Sequence, residues 1–117
     1  MSLSNSLFHL CLNDDWEVAQ KDVGYFGSAK DKADGFIHMS KADQVKRSAE
    51  RYYGKNPNLT LLQVDPSKVV GEIKWEPSSR GELYAHIYGH IPHEAIISAT
   101  PLPLDSEGIH IFPDELV

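Results

Sequence analysis

The sequence predicts a single α+β domain in which strands and short helices are mixed along the chain. Three observations lead to this prediction. The chain has 117 residues, of which 41% are hydrophobic and 24% are charged, which suits one buried core and is too short for two domains. Clear helical periodicity is confined to one segment, and apolar segments of strand length dominate the second half. Strands and helices do not alternate regularly, so a parallel sheet is not expected.

The first two elements are a strand and a helix. Residues 6–12 are apolar with one histidine, His9, and polar residues bound the segment, which predicts a buried strand. Asn13 or Asp14 can cap a following helix, because their side chains accept hydrogen bonds from the free amides of a first turn. A partial apolar face continues to about Lys21, so this helix is expected to be short.

A loop and a second strand are predicted next. Residues 23–34 hold two glycines and mixed charges without a sustained period, which is typical of a surface loop. Residues 36–39 form a short apolar run and are assigned to a strand. Ser40, with Asp43 three residues later, fits a capping box for the next helix.

The strongest periodic signal predicts a helix over residues 41–53. Val45, Ala49 and Tyr52 recur at helical spacing and are expected to face the core, while charged residues occupy the other side. Gly54 suits the end of the helix.

The remainder of the chain is assigned mainly to strands. Apolar or alternating segments predict strands at 59–64, 69–75, 82–88 and 94–100, and a short edge strand at 109–112. We expect one domain over 1–117, with a core at about 6–104 and a C-terminal extension at 105–117.

Charge and cysteine content limit the classes of partner. Lysine and arginine total 11 and aspartate and glutamate 17, a net charge of −6, which argues against long nucleic acid as a partner. No apolar run reaches the length of a membrane span. Cys11 is the single cysteine, which excludes an internal disulfide and suits a cytoplasmic location. A local pocket could still hold one nucleotide, because net charge does not fix the potential inside a cleft.

A zinc site is considered because His86, His90 and His93 are closely spaced and imidazole is a common metal ligand. Gly89 and Pro92 between them would break a helix that brought the three rings to one face. A Gly/Pro-rich surface loop is therefore expected for the second and third histidines, and no metal is expected.

Two other histidines and one arginine are candidates for ligand contacts. His9 and His38 each lie in an apolar strand, where an imidazole needs a hydrogen-bond partner, so each is either a satisfied core residue or a ligand contact. Arg80 can bind a carboxylate or a phosphate through its forked guanidinium. The alternative is an internal ion pair with Glu76 or Glu82.

Two segments carry a resemblance to a known family. The sequences DGFIHMS at 34–40, and WEPS followed by Arg80 and by LYAHIYG at 83–89, resemble the two signature blocks of the bacterial family called domain of unknown function 952. The chain departs from the pattern at Ala85, where that family usually has proline, and at His90. This family is similar to the ADP-ribosyltransferase fold, a split β-sandwich with two or three short helices that holds NAD between two small sheets.

The resemblance implies roles for individual residues. It implies that His9 contacts the ribose of NAD, that His38 packs on the nicotinamide, and that Glu82, near His86, is the closest candidate for a catalytic acid. It therefore implies an NAD-like nucleotide site with ADP-ribosyl or phospho-transfer activity, and the alternative is a noncatalytic ligand-binding or structural module. The expected catalytic residues are His38, His86 and Glu82, and the expected cofactor-binding residues are His9, Ser40, Arg80 and Tyr88.

Overall fold

The structure is a computed structural model that describes residues 5–116. Within that range the chain forms seven strands, three α-helices and short 3₁₀ turns. In chain order the strands and α-helices are β1 (Leu7–Leu12), α1 (Asn13–Gln20), β2 (Gly24–Tyr25), α2 (Ala29–Asp34), β3 (Ile37–His38), α3 (Val45–Tyr53), β4 (Leu59–Val64), β5 (Val70–Pro77), β6 (Leu83–Pro92) and β7 (Ile96–Pro101). None of these helices is long and apolar enough to cross a membrane.

The strands form two antiparallel sheets. The first has three strands in the order β1-β4-β7. The second has four strands and is built around the long strand β6, which pairs with β5 along one side and with β2 and β3 along the other. The predicted mixed α+β class with two antiparallel sheets and few helices is confirmed.

The core between the sheets is formed by one face of each. Strand β1 alternates, so that Leu7, His9 and Cys11 point to this core while Phe8 and Leu10 point away from it. The buried apolar residues of this core are Leu7, Cys11, Ala19, Tyr25, Ile37, Met39, Leu62, Val64, Ala85, Ile87, Ile91 and Ala95.

Helix α3 covers the outer face of the three-stranded sheet. Val45 and Ala49 are fully buried there against Phe8 and Leu10, as their spacing predicted. The prediction that Tyr52 is buried is wrong, since this residue is 58% exposed. Because α3 presents only a narrow apolar stripe to the sheet, Tyr52 falls at its margin.

A short backbone bridge joins the two sheets beside α3. The amide of Met39 donates to the carbonyl of Ala85 in β6 (2.9 Å), so the chain after β3 still follows the four-stranded sheet. One residue later, Ser40 pairs with Phe8 of β1 through two backbone hydrogen bonds of 2.7 and 2.8 Å. The residues that follow β3 therefore lie where the two sheets meet.

The surface loop predicted over residues 23–34 is wrong. Residues 23–34 are not a loop but contain β2 and α2, and α2 is too short to produce a periodic pattern. Its ends are nevertheless marked, by a capping box between Ser28 and Asp31 and by Gly35 in the left-handed conformation (φ 88°).

The capping box expected at Ser40 and Asp43 does not form. The Ser40 backbone is committed to the bridge with β1, and α3 begins only at Val45. The side chain of Gln44 instead accepts from the amide of Lys41 (2.9 Å).

In the second half the strand predicted at 59–64 is confirmed as β4, and the next three predicted strands occur with shifted limits. Strand β6 continues to Pro92 instead of stopping at residue 88, because Gly89 can pair closely with Gly71 of β5. The edge strand predicted at 109–112 is reduced to an isolated bridge between Leu104 and His110. Phe112 in that segment is buried with the residues under α3.

Candidate functional site: a histidine-lined cleft

A cleft of about 240 Å³ opens where the two sheets meet. Its walls come from α2, from α3, from β6 and from the turn between β5 and β6, and its floor is formed by β1 and the segment after β3. The lining residues are His9, Leu10, Ser28, Lys30, Asp31, His38, Met39, Ser40, Ser48, Tyr52, Tyr53, Ser78, Ser79, Tyr84 and His86.

His9 lies at the floor and is 4% exposed. Its Nδ1 donates to the backbone carbonyl of His38 (2.7 Å), so Nε2 of the neutral ring accepts from the hydroxyl of Tyr25 (2.7 Å). Burial lowers the pKa of His9 and favours this neutral form. Both ring nitrogens are therefore engaged inside the protein, as in a satisfied core histidine that ties one sheet to the other.

Asp31 is a buried carboxylate that the sequence analysis did not identify. One of its oxygens accepts from the backbone amide of His38 (3.2 Å) and from its Nδ1 (2.6 Å), and the other accepts from the amide of Ser28 (2.8 Å). Burial alone would raise the pKa of Asp31, but the hydrogen bond from the His38 ring, the nearby His9 and the two amides outweigh it and lower the pKa to about 2. The S-x-x-D spacing of its capping box is the sequence signal that marks this residue.

His38 lies beside the carboxylates of α2. In addition to the contact between Nδ1 and Asp31, its Nε2 is 3.1 Å from Oδ2 of Asp34. Its side chain is 35% exposed, and the ring of Phe36 lies 4.7 Å away between centroids. His38 is therefore accessible to a ligand, although both ring nitrogens already face carboxylate oxygens.

His86 lies across the cleft in β6 and is held by Glu76 of β5. Its Nδ1 donates to Oε1 of Glu76 (2.8 Å), and the hydroxyl of Tyr88 donates to the same oxygen (2.6 Å). These hydrogen bonds, first from Tyr88 and then from His86, lower the pKa of Glu76. The ring of Phe36 stacks on His86 with centroids 4.0 Å apart and an interplanar angle of 19°.

The structure brings four of the seven predicted site residues to this cleft: His9, His38, Ser40 and His86. The hydroxyl of Ser40 lies 3.3 Å from that of Ser48 in α3. These residues come from β1, from β3 and the segment after it, and from β6, which are distant in sequence. The bridge between β1 and the segment after β3 brings them together.

The other three predicted site residues do not line the cleft. Glu82 binds Arg47 (2.7 Å) and Gln44 (3.1 Å) and forms no hydrogen bond or ion pair with His86. The hydroxyl of Tyr88 donates to the Glu76 oxygen that also accepts from His86, so Tyr88 is linked to the cleft through Glu76. Arg80 lies exposed on the turn after β5, and its guanidinium forms no ion pair with a side chain that the structure describes, so the pairing considered with Glu76 or Glu82 is not present.

The three histidines considered for zinc do not converge. His90 lies within β6 and stacks on Phe26 (4.5 Å), so its assignment to a surface loop is wrong, while Nε2 of His93 donates to the carbonyl of Asp22 (2.7 Å). Within residues 5–116, no group of three or more histidine, cysteine, aspartate or glutamate side chains is arranged to hold a metal ion.

The fold and the site define a small α+β protein with a polar cleft at the junction of two antiparallel sheets. The chain belongs to the family described as protein of unknown function (DUF952), whose model matches residues 10–99. The family resemblance predicted from the two sequence blocks is thereby confirmed.

Solved structures of another protein have a similar fold. The crystal structure of protein CC0527 from Caulobacter crescentus is 30% identical in sequence and has a TM-score of 0.86, covering 95% of this chain and 97% of that one. The solution NMR structure of CC0527 is 29% identical with a TM-score of 0.75, covering 90% of each chain. No curated protein matches the sequence significantly.

Proposed function

We propose that the cleft binds the nicotinamide–ribose end of NAD or of a closely related nucleotide. The observation that carries this proposal is the composition of the lining, which combines an ionised carboxylate, tyrosine rings and several hydroxyls. The rings are Tyr52, Tyr53 and Tyr84, and the hydroxyls belong to Ser28, Ser40, Ser48, Ser78 and Ser79.

The electrostatic character of the lining favours a cationic aromatic ring. Asp31 remains ionised at every pH near neutrality because its pKa is about 2, and Asp34 lies beside the same histidine. The oxidised nicotinamide ring carries a positive charge, so it is attracted both to carboxylates and to the faces of aromatic rings. Lys30 also lines the cleft and pairs with Asp34 (3.0 Å), so these three side chains together carry a net charge of −1, which disfavours a phosphate group. The nicotinamide end is therefore the part of NAD that suits the cleft.

The size of the cleft limits what it can enclose. Sites for small molecules are roughly 300–1,000 Å³, and this cleft has about 240 Å³. It can therefore hold one end of a dinucleotide and leaves the pyrophosphate at its rim. Arg80 is exposed on the turn that carries Ser78 and Ser79, and its guanidinium can bind a phosphate through two parallel hydrogen bonds.

The proposal extends to the fold. Two small antiparallel sheets with a cleft at their junction support a likeness to the split β-sandwich of ADP-ribosyltransferases, although a shared fold does not by itself carry an activity. In this arrangement His38 packs on the nicotinamide. Contact between His9 and the ribose requires one of the two existing hydrogen bonds of its ring to be exchanged.

A noncatalytic structural module is the second candidate. It is favoured by one observation, that both ring nitrogens of His9 and both of His38 already face partners inside the protein. Such a network stabilises the junction of the sheets without a ligand.

Thermal unfolding with nucleotides separates the two candidates. We expect NAD to raise the melting temperature of the wild type by several degrees, because a ligand at 100 times its Kd stabilises the folded state by about 2.7 kcal/mol. ADP-ribose, which lacks the nicotinamide, should give a smaller shift. His38→Ala should lose most of the NAD shift, whereas the control His93→Ala, exposed and outside the cleft, should keep it.

Two outcomes of these melts would contradict the proposal. If neither NAD nor ADP-ribose shifts the wild-type melt at millimolar concentration, the nucleotide proposal is wrong and the structural module replaces it. If ADP-ribose shifts the melt as much as NAD, the cleft does not bind the nicotinamide end.

A further inference from the structure

His86 differs from the other two histidines of the cleft in having one uncommitted ring nitrogen. Its Nδ1 donates to Glu76, but its Nε2 has no hydrogen-bond partner among residues 5–116. No fully buried side-chain nitrogen or oxygen lacks a partner in that part of the chain, so this nitrogen is accessible to solvent, and the residue that carries it lines the cleft. His9 and His38 have no comparable free atom.

Glu76 fixes which nitrogen is free. A carboxylate can only accept a hydrogen bond, so the proton of the neutral ring resides on Nδ1 and the lone pair on Nε2. Glu76 is held ionised by its hydrogen bonds from Tyr88 and from His86 itself, which lower its pKa. The pair therefore has the geometry in which a carboxylate orients a histidine and stabilises the imidazolium that forms when the ring takes up a proton.

The ring is also held in place by its neighbours. Phe36 stacks on one face of His86, and His38 approaches it edge-on at 5.4 Å between centroids. An imidazole that is packed on a ring and bonded at Nδ1 has little rotational freedom. The ring therefore holds a fixed position in the lining of the cleft, to which Tyr84, Ser78 and Ser79 also contribute.

We propose that His86 is a catalytic base in this cleft, that Glu76 is its positioning residue, and that the substrate it deprotonates is a hydroxyl-bearing acceptor, either water or an alcohol. This inference deepens the proposed function and rests on it. His86 accepts the hydroxyl proton at Nε2 as the acceptor oxygen forms a bond to C1′ of the ribose. The bond from C1′ to nicotinamide breaks, and the nitrogen of the nicotinamide ring keeps the electron pair. His86 then releases the proton to solvent.

In this proposal the carboxylate that acts beside His86 is Glu76 and not Glu82, which the family resemblance implied. Glu82 is engaged with Gln44 and Arg47 on the α3 side, and these contacts lower its pKa. Glu76 instead contacts a histidine that lines the cleft. The two glutamates flank the same turn. Glu76 lies within β5 on the face of the sheet that carries His86, whereas Glu82 lies outside both strands.

Two measurements on the full chain test the inference. Mass mapping after treatment with diethyl pyrocarbonate, which modifies unprotonated accessible imidazole, should show His86 modified and His9 unmodified, with NAD slowing the reaction at His86. Separately, nicotinamide release from NAD is followed in buffer with and without methanol. Free ADP-ribose as product identifies water as the acceptor, and methyl ADP-ribose identifies an alcohol.

Substitutions distinguish the catalytic role of His86 from the positioning role of Glu76. His86→Ala should release nicotinamide roughly 10²- to 10⁴-fold more slowly than the wild type, as expected for loss of a general base, while keeping the thermal shift with NAD. Added imidazole should restore part of the rate. Glu76→Gln should lower kcat with little change in KM. Glu72→Gln is the matched control, because Glu72 lies on the same strand and face but makes no contact with His86.

The outcomes separate this inference from the proposed function. If NAD shifts the melt but the wild type releases no nicotinamide with either acceptor, the catalytic inference is overturned and nucleotide binding stands. If NAD does not bind, both are overturned. The catalytic inference is also overturned if His86→Ala releases nicotinamide as fast as the wild type. It is overturned as well if diethyl pyrocarbonate does not modify His86, and this measurement does not depend on the folding of a variant.

Discussion

Replacing Asp31 by asparagine tests how strongly the network under the cleft stabilises the fold. Asp31 is 3% exposed, and its pKa of about 2 lies below the reference value of 3.8. The difference is nearly two pH units at 1.36 kcal/mol each, so the charged form contributes about 2 kcal/mol to the free energy of unfolding. Asparagine also turns one acceptor into a donor, which faces the amide of Ser28 and breaks the capping box, at a cost of about 1 kcal/mol.

The assay is urea unfolding of wild type and Asp31→Asn at several pH values. We expect a loss of about 2 to 3 kcal/mol at pH 7 that shrinks as the pH falls from about 4 to 2. The loss shrinks in acid because the pKa of Asp31 in the folded protein lies below that of the unfolded chain. The stabilisation is complete above about pH 4 and is lost as the pH falls through the pKa of the folded protein. Asp34→Asn, a half-exposed carboxylate of the same helix, should cost less. A difference at pH 7 near zero, or one of equal size at pH 2, would refute this reasoning.

Two further predictions concern other parts of the fold. Because the pKa of His9 is lowered by burial, the unfolded chain binds a proton below about pH 6.5 that the folded protein does not. Between pH 7.5 and pH 5 the wild type should therefore lose more stability in urea unfolding than His9→Gln, and equal losses would contradict the neutral assignment. Gly89→Ala should destabilise the protein by about 3 kcal/mol or more, because its Cβ would collide with the backbone carbonyl of Val70. Thermal melts check this, and an unchanged melting temperature would show that β5 and β6 can separate freely.

Local patterns were sufficient where an element is long enough to produce a period. Val45 and Ala49 were correctly assigned to the core because a helix of about two and a half turns repeats its apolar face. The strand at Leu59–Val64 was identified by a continuous apolar run. The short apolar run at 36–39 likewise predicted the strand that contains β3. Strand β2 has two residues and no local pattern predicts it. It forms because the end of β6 offers it a partner.

The candidate site was predictable in part for the same reason. His9 and His38 are conspicuous as single polar residues in apolar strands, and the family resemblance pointed to His86. Glu76 could not be preferred over Glu82 from the sequence, because both are glutamates near one turn and only strand register separates them. Asp31 required recognition of a capping box within a segment that lacked any period.

The residues on the two sides of the cleft differ in how much they contribute to the stability of the fold. Asp31 caps α2, orients His38 and accepts from two amides, so its loss removes structure and site together. His86 and Glu76 lie on the β5–β6 hairpin, where the Glu76 side chain is 37% exposed and its carboxylate contacts side chains only. Substitution there removes a hydrogen bond without opening the core, since buried β6 residues such as Ile87 face the opposite side of the sheet. His86 and Glu76 are therefore the positions at which the chemistry of this cleft can be removed while the fold is kept.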